Sequence, residues 1–149
     1  MTRKEKAREL QSAGFNCAQR TLYIFADECG LDKDLALKIT GGLGSGMQQG
    51  EVCGAITGAI MVLSLKYGYT EGSDLISKEN IRNIVQRFNA GFKEKHGTLI
   101  CKELIGIDLS IKENLEKARQ TGMFKAICAE FVDDTIDILE KIIQETGDV

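Results

Sequence analysis

The residues best suited to chemistry in this 149-residue chain are five cysteines, at positions 17, 29, 53, 101 and 128, accompanied by a single histidine, His96. Three of them fall where a helix should begin. Cys17 follows the N-cap candidate Asn16, Cys53 follows a glycine-rich segment, and Cys101 comes shortly after His96-Gly97-Thr98. Unpaired backbone N–H groups and the positive end of the helix dipole stabilise a thiolate, so a thiol there can titrate below its free value of ~8.5 and serve as nucleophile or metal ligand. Cys128 sits on or beside the apolar stripe of Phe124, Ile127 and Phe131 and on its own reads as a small core residue. Cys29 continues the stripe of Ala18, Leu22 and Phe25 and is expected in the core, outside any site. The gaps between the cysteines are long and unequal, with no CxxC and no CxxCH, which excludes ordinary c-type haem attachment and the commonest dithiol motif. An odd number of cysteines cannot pair completely within one chain, so metal binding or reversible thiol chemistry gains weight over permanent disulfides.

The elements that must position these sulfurs are helical. There is no proline, so glycines and capping residues provide the punctuation. Apolar residues recur at helical spacing in Ile81, Ile84, Val85, Phe88 and Phe92, and again in Phe124, Ile127, Phe131, Thr135, Ile138 and Ile142, predicting two long amphipathic helices. Ser110 followed by Glu113 predicts a capping box and a shorter helix that ends near Gly122. Ahead of these, helices are expected over about Arg3–Ala13, Asn16–Glu28 and Lys33–Ile39. The segment Gly41 to Gly50 is expected to be one irregular but structured loop, because glycine raises the entropy cost of regular elements. Val52 to about Tyr67 lacks alternation and is too long for a typical strand, so it is read as a helix. Gly54 and Gly58 share one face of it, where a second helix or a cofactor could approach closely; helix packing is the favoured reading. No long-period repeat or linker divides the chain. The predicted fold is all-α: one domain over residues 1–149, a helical bundle with a glycine-rich loop.

Composition limits the partners. A formal net charge of -3 offers no global field for nucleic acid or anionic lipid. The longest apolar run, Ala59 to Leu63, falls far short of the ~20 residues of a membrane span and should be a buried helix. The opening residues run directly into an amphipathic pattern with no secretory signal, so a cytoplasmic location is expected.

The residues also carry a resemblance. Phe15-Asn16-Cys17-Ala18-Gln19, the string Cys53-Gly54-Ala55-Ile56-Thr57-Gly58 after a glycine-rich loop, Cys101-Lys102-Glu103-Leu104-Ile105-Gly106, and Cys128 in the last helix follow one another in order. The chain thereby resembles the redox-active proteins named for a C_GCAxxG_C_C pattern, from about residue 3 to 143, with Cys29 outside the four-cysteine set. The resemblance implies a redox or metal-associated role at Cys17, Cys53, Cys101 and Cys128, with an electron-transfer or transporter-associated protein, or a second copy of the chain, as partner. It does not fix a reaction or a cofactor.

Two classes of function follow. In the first, helix packing gathers the four cysteines into one pocket, either as ligands of a metal ion or iron–sulfur cluster or as redox-active thiol pairs, with Gly54 and Gly58 giving a cofactor close access. In the second, a non-catalytic module uses the glycine loop and the small-residue helix to accept a partner helix or transporter component. A phosphate cradle is a weaker third: there is no Gly-Lys-Ser/Thr, and Gly44-x-Gly46-x-x-x-Gly50 misses the dinucleotide fingerprint by one residue. His96 is expected as a C-capping cation, and otherwise as a base or fifth ligand near Cys101. Glu51 and Glu103 flank cysteines as acidic residues at helix starts. Neither a paired-carboxylate nor a Ser-His-Asp hydrolase has support.

Overall fold

Helix starts in this chain are built by reciprocal side-chain caps. Thr2 accepts from the Glu5 amide at 3.1 Å while Glu5 accepts from the Thr2 amide at 3.0 Å, opening α1 (Arg3–Ser12). Asn16 accepts from the Gln19 amide at 2.8 Å while Gln19 accepts from the Asn16 amide at 3.0 Å, opening α2 (Cys17–Ala26). Each pair satisfies two of the amides a helix start leaves unpaired. A single tight turn, Asp27–Cys29, prolongs α2 until Gly30 stops it at φ +69°. Asp32 caps α3 (Lys33–Ile39), which has the predicted bounds.

The structure is a computed structural model that describes residues 1–147, apart from the side chains of residues 123 and 124. Among the described residues it contains eight α-helices, completed by α4 (Gly54–Tyr67), α5 (Leu75–His96), α6 (Cys101–Ile105), α7 (Lys112–Thr121) and α8 (Met123–Thr146). None of them is long and apolar enough to cross a membrane.

α4 is the axis of the fold. It packs against α2, α5 and α8, and Ile56, Ala59, Val62 and Leu63 along it are fully buried. Phe88 and Phe92 of α5 and Phe131, Thr135 and Ile142 of α8 close the core around it, as the two apolar stripes predict, but α8 also buries Val132, Ile136 and Leu139, which the stripe did not include, while Ile127 and Ile138 are only partly buried. Full burial of each such apolar side chain contributes about 1.5–3 kcal/mol. The side chain of Phe124, the first residue of the expected α8 stripe, is not among those described.

Gly54 and Gly58 set the closest approach between helices. A Cβ on Gly58 would lie 2.9 Å from the Ala18 carbonyl oxygen, and one on Gly54 would lie 3.0 Å from the Ala18 amide nitrogen and 3.3 Å from Cys17 Cβ. The room these glycines leave is therefore taken by α2, and both are buried. This is the favoured helix-packing arrangement, and it leaves no open small-residue face there for a partner helix. Its consequence is positional, because it brings the first turn of α2 against the first turn of α4.

Two local expectations need correction. Ser110 does not cap α7: its amide and hydroxyl both donate to Asp108 Oδ1, at 2.9 and 2.6 Å, and the N-cap position is Ile111, which has no side-chain cap. A side-chain turn within residues 108–110 has outcompeted the capping box. The glycine loop is structured, as expected, but part of it is helical of the wrong hand. Ser45, Gly46, Met47 and Gln48 have φ of 53°, 63°, 59° and 59°, a left-handed turn that includes three side-chain-bearing residues. Such residues cost roughly 1–2 kcal/mol each, so the surrounding contacts must hold them in place.

A candidate thiol site

The four cysteines arrive on one cavity by different routes. Cys17 is the first residue of α2, immediately after the Asn16 cap. The Asn16 amide group also donates to the carbonyls of Thr40 and Gly41, both at 3.3 Å, which ties the glycine loop to that helix start. Cys53 and Cys101 are brought together by an isolated antiparallel bridge between Val52 and Ile100. The Cys53 amide donates to Leu99 O at 2.9 Å and the Cys101 amide to Glu51 O at 2.6 Å, so α4 and α6 begin side by side. Gly46 underlies the bridge: a Cβ there would lie 2.6 Å from the Glu51 amide nitrogen and 2.8 Å from Cys101 Cβ. This is what the left-handed turn secures, a backbone near enough to Cys101 that no side chain fits between. Cys128 comes from the second turn of α8.

Cys17, Cys53, Cys101 and Cys128 all line one cavity of about 330 Å³. Cys29 does not; its thiol lies 3.9 Å from Val62 O, away from the other four. All five are free thiols. Gly54 lines the same cavity, whereas Gly58 does not.

The thiols are electrostatically unequal. Arg20, one turn after Cys17 on the same face of α2, is only 2% exposed, and its Nη2 donates to Cys17 Sγ at 3.0 Å. Hydrogen bonding from the Cys128 thiol, together with the Arg20 charge and hydrogen bond, overrides burial and lowers the Cys17 pKa to about 6. Cys128 moves upward, because its proton is held in the hydrogen bond to Cys17 and because it is buried. Burial and then the negative charge on Cys17 also push Cys53 upward. The same two causes raise Cys101 to about 11. Of the three helix-start cysteines expected to be able to titrate below the free value, only Cys17 does so, and through Cys128 and Arg20; Cys53 and Cys101 move the other way. At 4% and 8% exposure, the desolvation of those two outweighs the helix dipole.

The chemistry of the donor set bears on a metal or iron–sulfur centre. Four cysteines are the right ligand type, yet among the described residues no group of three or more Cys, His, Asp or Glu side chains is arranged to hold a metal ion. In addition, the sulfur best suited to be an anion already has a guanidinium against it, which would oppose a cation. As placed, the four sulfurs line a common space without forming a coordination shell.

The remaining sequence candidates lie elsewhere. The C-cap of α5 is Gly97, whose amide donates to Lys93 O. His96 Nε2 instead lies 2.8 Å from Asp134 Oδ2 of α8, with the ring against Phe92 and edge-on to Phe131. It ties α5 to α8 and does not line the cavity, so it is neither the expected cap nor a base beside Cys101. Glu103 is in the first turn of α6 and accepts from Thr98 Oγ1 at 2.5 Å. Glu51 is not in a helix; its backbone forms the bridge. Sequence reasoning missed Arg20, although the i, i+3 spacing from Cys17 to Arg20 on a helix was the available signal.

Fold and site together define a small helical protein with four thiols gathered on one cavity. Over residues 15–142 the sequence matches the model of the family described as "Putative redox-active protein (C_GCAxxG_C_C)", and the chain belongs to that family. No curated protein and no solved structure matches it.

Proposed function

We propose that the protein performs reversible thiol–disulfide exchange, with Cys17 as the attacking thiolate and Cys128 as the resolving thiol. The observation that carries this reading is the contact between Arg20 Nη2 and Cys17 Sγ at 3.0 Å, inside a cavity that all four family cysteines line. A thiolate is the competent nucleophile, and a buried guanidinium holds it without being able to lose its own proton.

In the forward direction the Cys17 thiolate attacks one sulfur of a substrate disulfide. A bond forms between Cys17 and that sulfur, the substrate S–S bond breaks, and one substrate thiolate leaves. Cys128 then gives up its proton to the departing group and its sulfur displaces the second substrate thiol from Cys17. The substrate disulfide is reduced by two electrons to two thiols, and the protein pair is oxidised to a Cys17–Cys128 disulfide. A dithiol reductant returns the pair to its starting state by the same steps reversed. Cys53 and Cys101, held protonated, are spare thiols that leave Cys17 as the single anion of the group.

Mapping of trapped intermediates tests the assignment. After brief exposure to hydroxyethyl disulfide and acid quenching, wild-type protein should yield a Cys17–Cys128 disulfide by peptide mass analysis, and Cys128→Ser should accumulate the mixed disulfide on Cys17. A first adduct on Cys53 or Cys101, or a Cys128→Ser variant that clears its adduct at the wild-type rate, rejects it.

A further inference from the structure

The cavity has a polar feature that thiol chemistry alone does not use. Arg20 donates through Nε to Asn16 O at 3.3 Å and through Nη2 to Cys17, but its Nη1 is buried and has no hydrogen-bond partner among the described residues. An unpaired buried charged donor is costly, and the guanidinium that carries it belongs to a residue lining the cavity. At the outer side Arg119 and Lys125 line the same cavity, and both are exposed. Among the described residues neither side chain is in an ion pair and no Asp or Glu lines the cavity. Three cations therefore face it against one thiolate. Between the inner guanidinium and this basic mouth the walls are apolar, from Leu104, Leu109, Leu115 and Phe131. A volume of about 330 Å³ lies within the ~300–1,000 Å³ range of small-molecule sites.

We infer that the cavity is a binding site for a small organic anion, whose carboxylate or like group pairs with the Arg20 guanidinium while Arg119 and Lys125 draw it in. Resting on the exchange reading, the substrate class is then an anionic low-molecular-weight disulfide. The guanidinium would hold the anionic group beside the attacking sulfur, and the apolar walls would hold the carbon skeleton. Its charge selects the ligand before its sulfur reacts, since a cationic disulfide would meet three like charges at the same opening.

Two experiments separate this inference from the exchange reading. In the Cys17→Ser protein, which cannot start exchange, calorimetric titration should show benzoate binding about tenfold more tightly than benzamide, with that ratio reduced about threefold in an added Arg119→Gln/Lys125→Gln background, where Arg20 still holds the anion. Equal binding of benzoate and benzamide overturns the anion site, and so does sulfate binding as tightly as benzoate, because the apolar walls would then contribute nothing. In wild-type protein, the rate at Cys17 should fall in the order dithiodiglycolate, hydroxyethyl disulfide, cystamine, with about a tenfold span beyond that of a free cysteine peptide. Fast reaction with all three, without charge preference, overturns the anion site and keeps the exchange reading. Benzoate binding without any exchange at Cys17 does the reverse.

Discussion

The start of α2 and the paired starts of α4 and α6 offer the same local feature, a cysteine at the first turn of a helix, with opposite electrostatic outcomes. Cys17 has a complete capping box before it, the Cys128 thiol beside it and a buried guanidinium 3.0 Å from its sulfur. Cys53 and Cys101 have no side-chain cap before their helices, and burial and the negative Cys17 act on both, with the Asp108 charge adding to the effect on Cys101. α6 is also only five residues long, too short to sum much dipole. The lesson is that a helix start supplies a small bias, and burial reverses it unless a specific partner holds the charge.

The largest test of this contrast is the dependence of stability on alkaline pH. Cys53, Cys101 and Cys128 keep their protons in the folded state to higher pH than in the unfolded chain. Above pH ~8.5 the unfolded state therefore binds fewer protons, and stability should fall by up to about 1.4 kcal/mol per pH unit for each of these thiols. Cys17 acts in the opposite sense. Its folded pKa is lowered to about 6, so its contribution is present above the unfolded value and is lost as pH falls through the folded one. Urea midpoints under reducing conditions should therefore rise from mildly acid pH toward pH ~8 and decline beyond pH ~9. A flat alkaline limb would remove the distinction between the two regions.

Next in size is Gly58→Leu. The nearest atom to a Cβ at that position is the Ala18 carbonyl oxygen at 2.9 Å, a backbone atom that cannot swing away. Overpacking there should cost about 1–3 kcal/mol and push the first turn of α2 away from α4. Urea denaturation measures the loss, and reduced alkylation of Cys17 at pH 6 would report the displacement. Unchanged stability would mean that the contact between the two regions is not close.

Arg20→Gln makes Cys17 more like its neighbours. Its pKa should rise, and alkylation at pH ~5.5 should slow by about tenfold; the loss of thiolate is partly offset because a more basic sulfur is intrinsically more nucleophilic. The rate profile should move to higher pH, which a purely structural role for Arg20 would not produce. Cys29→Ser should do least. That thiol is outside the cavity and only weakly bonded, so exchange should be unaltered and the urea midpoint should shift by less than about 0.5 kcal/mol equivalent.

Much of this architecture was readable in the chain because it depends on local signals. The stripes from Ile81 to Phe92 and from Ile127 to Ile142 predict α5 and α8, and the short helix expected over Lys33–Ile39 is α3 with its bounds. The convergence of Cys17, Cys53, Cys101 and Cys128 on one cavity was expected as well. What could not be read depends on contacts between distant segments. The bridge from Val52 to Ile100 joins residues far apart in the chain, and neither side carries a strand pattern. The left-handed turn at residues 45–48 has glycine at only one of its four positions, so composition suggests irregularity and does not give its hand. Ser110 and Glu113 carry the letters of a capping box, but Asp108, two residues earlier, takes the serine. His96 looked like a cap until Asp134, on another helix, supplied a better partner.

Site-resolved alkylation across pH tests the central contrast most directly. Brief iodoacetamide labelling of reduced protein from pH ~4.5 to 9, quantified peptide by peptide, should give Cys17 a half-maximal rate near pH 6, with Cys53 and Cys101 essentially unlabelled until the most alkaline samples. A Cys17 midpoint at or above the ordinary thiol value of ~8.5, or Cys53 labelled before Cys17, would contradict the account.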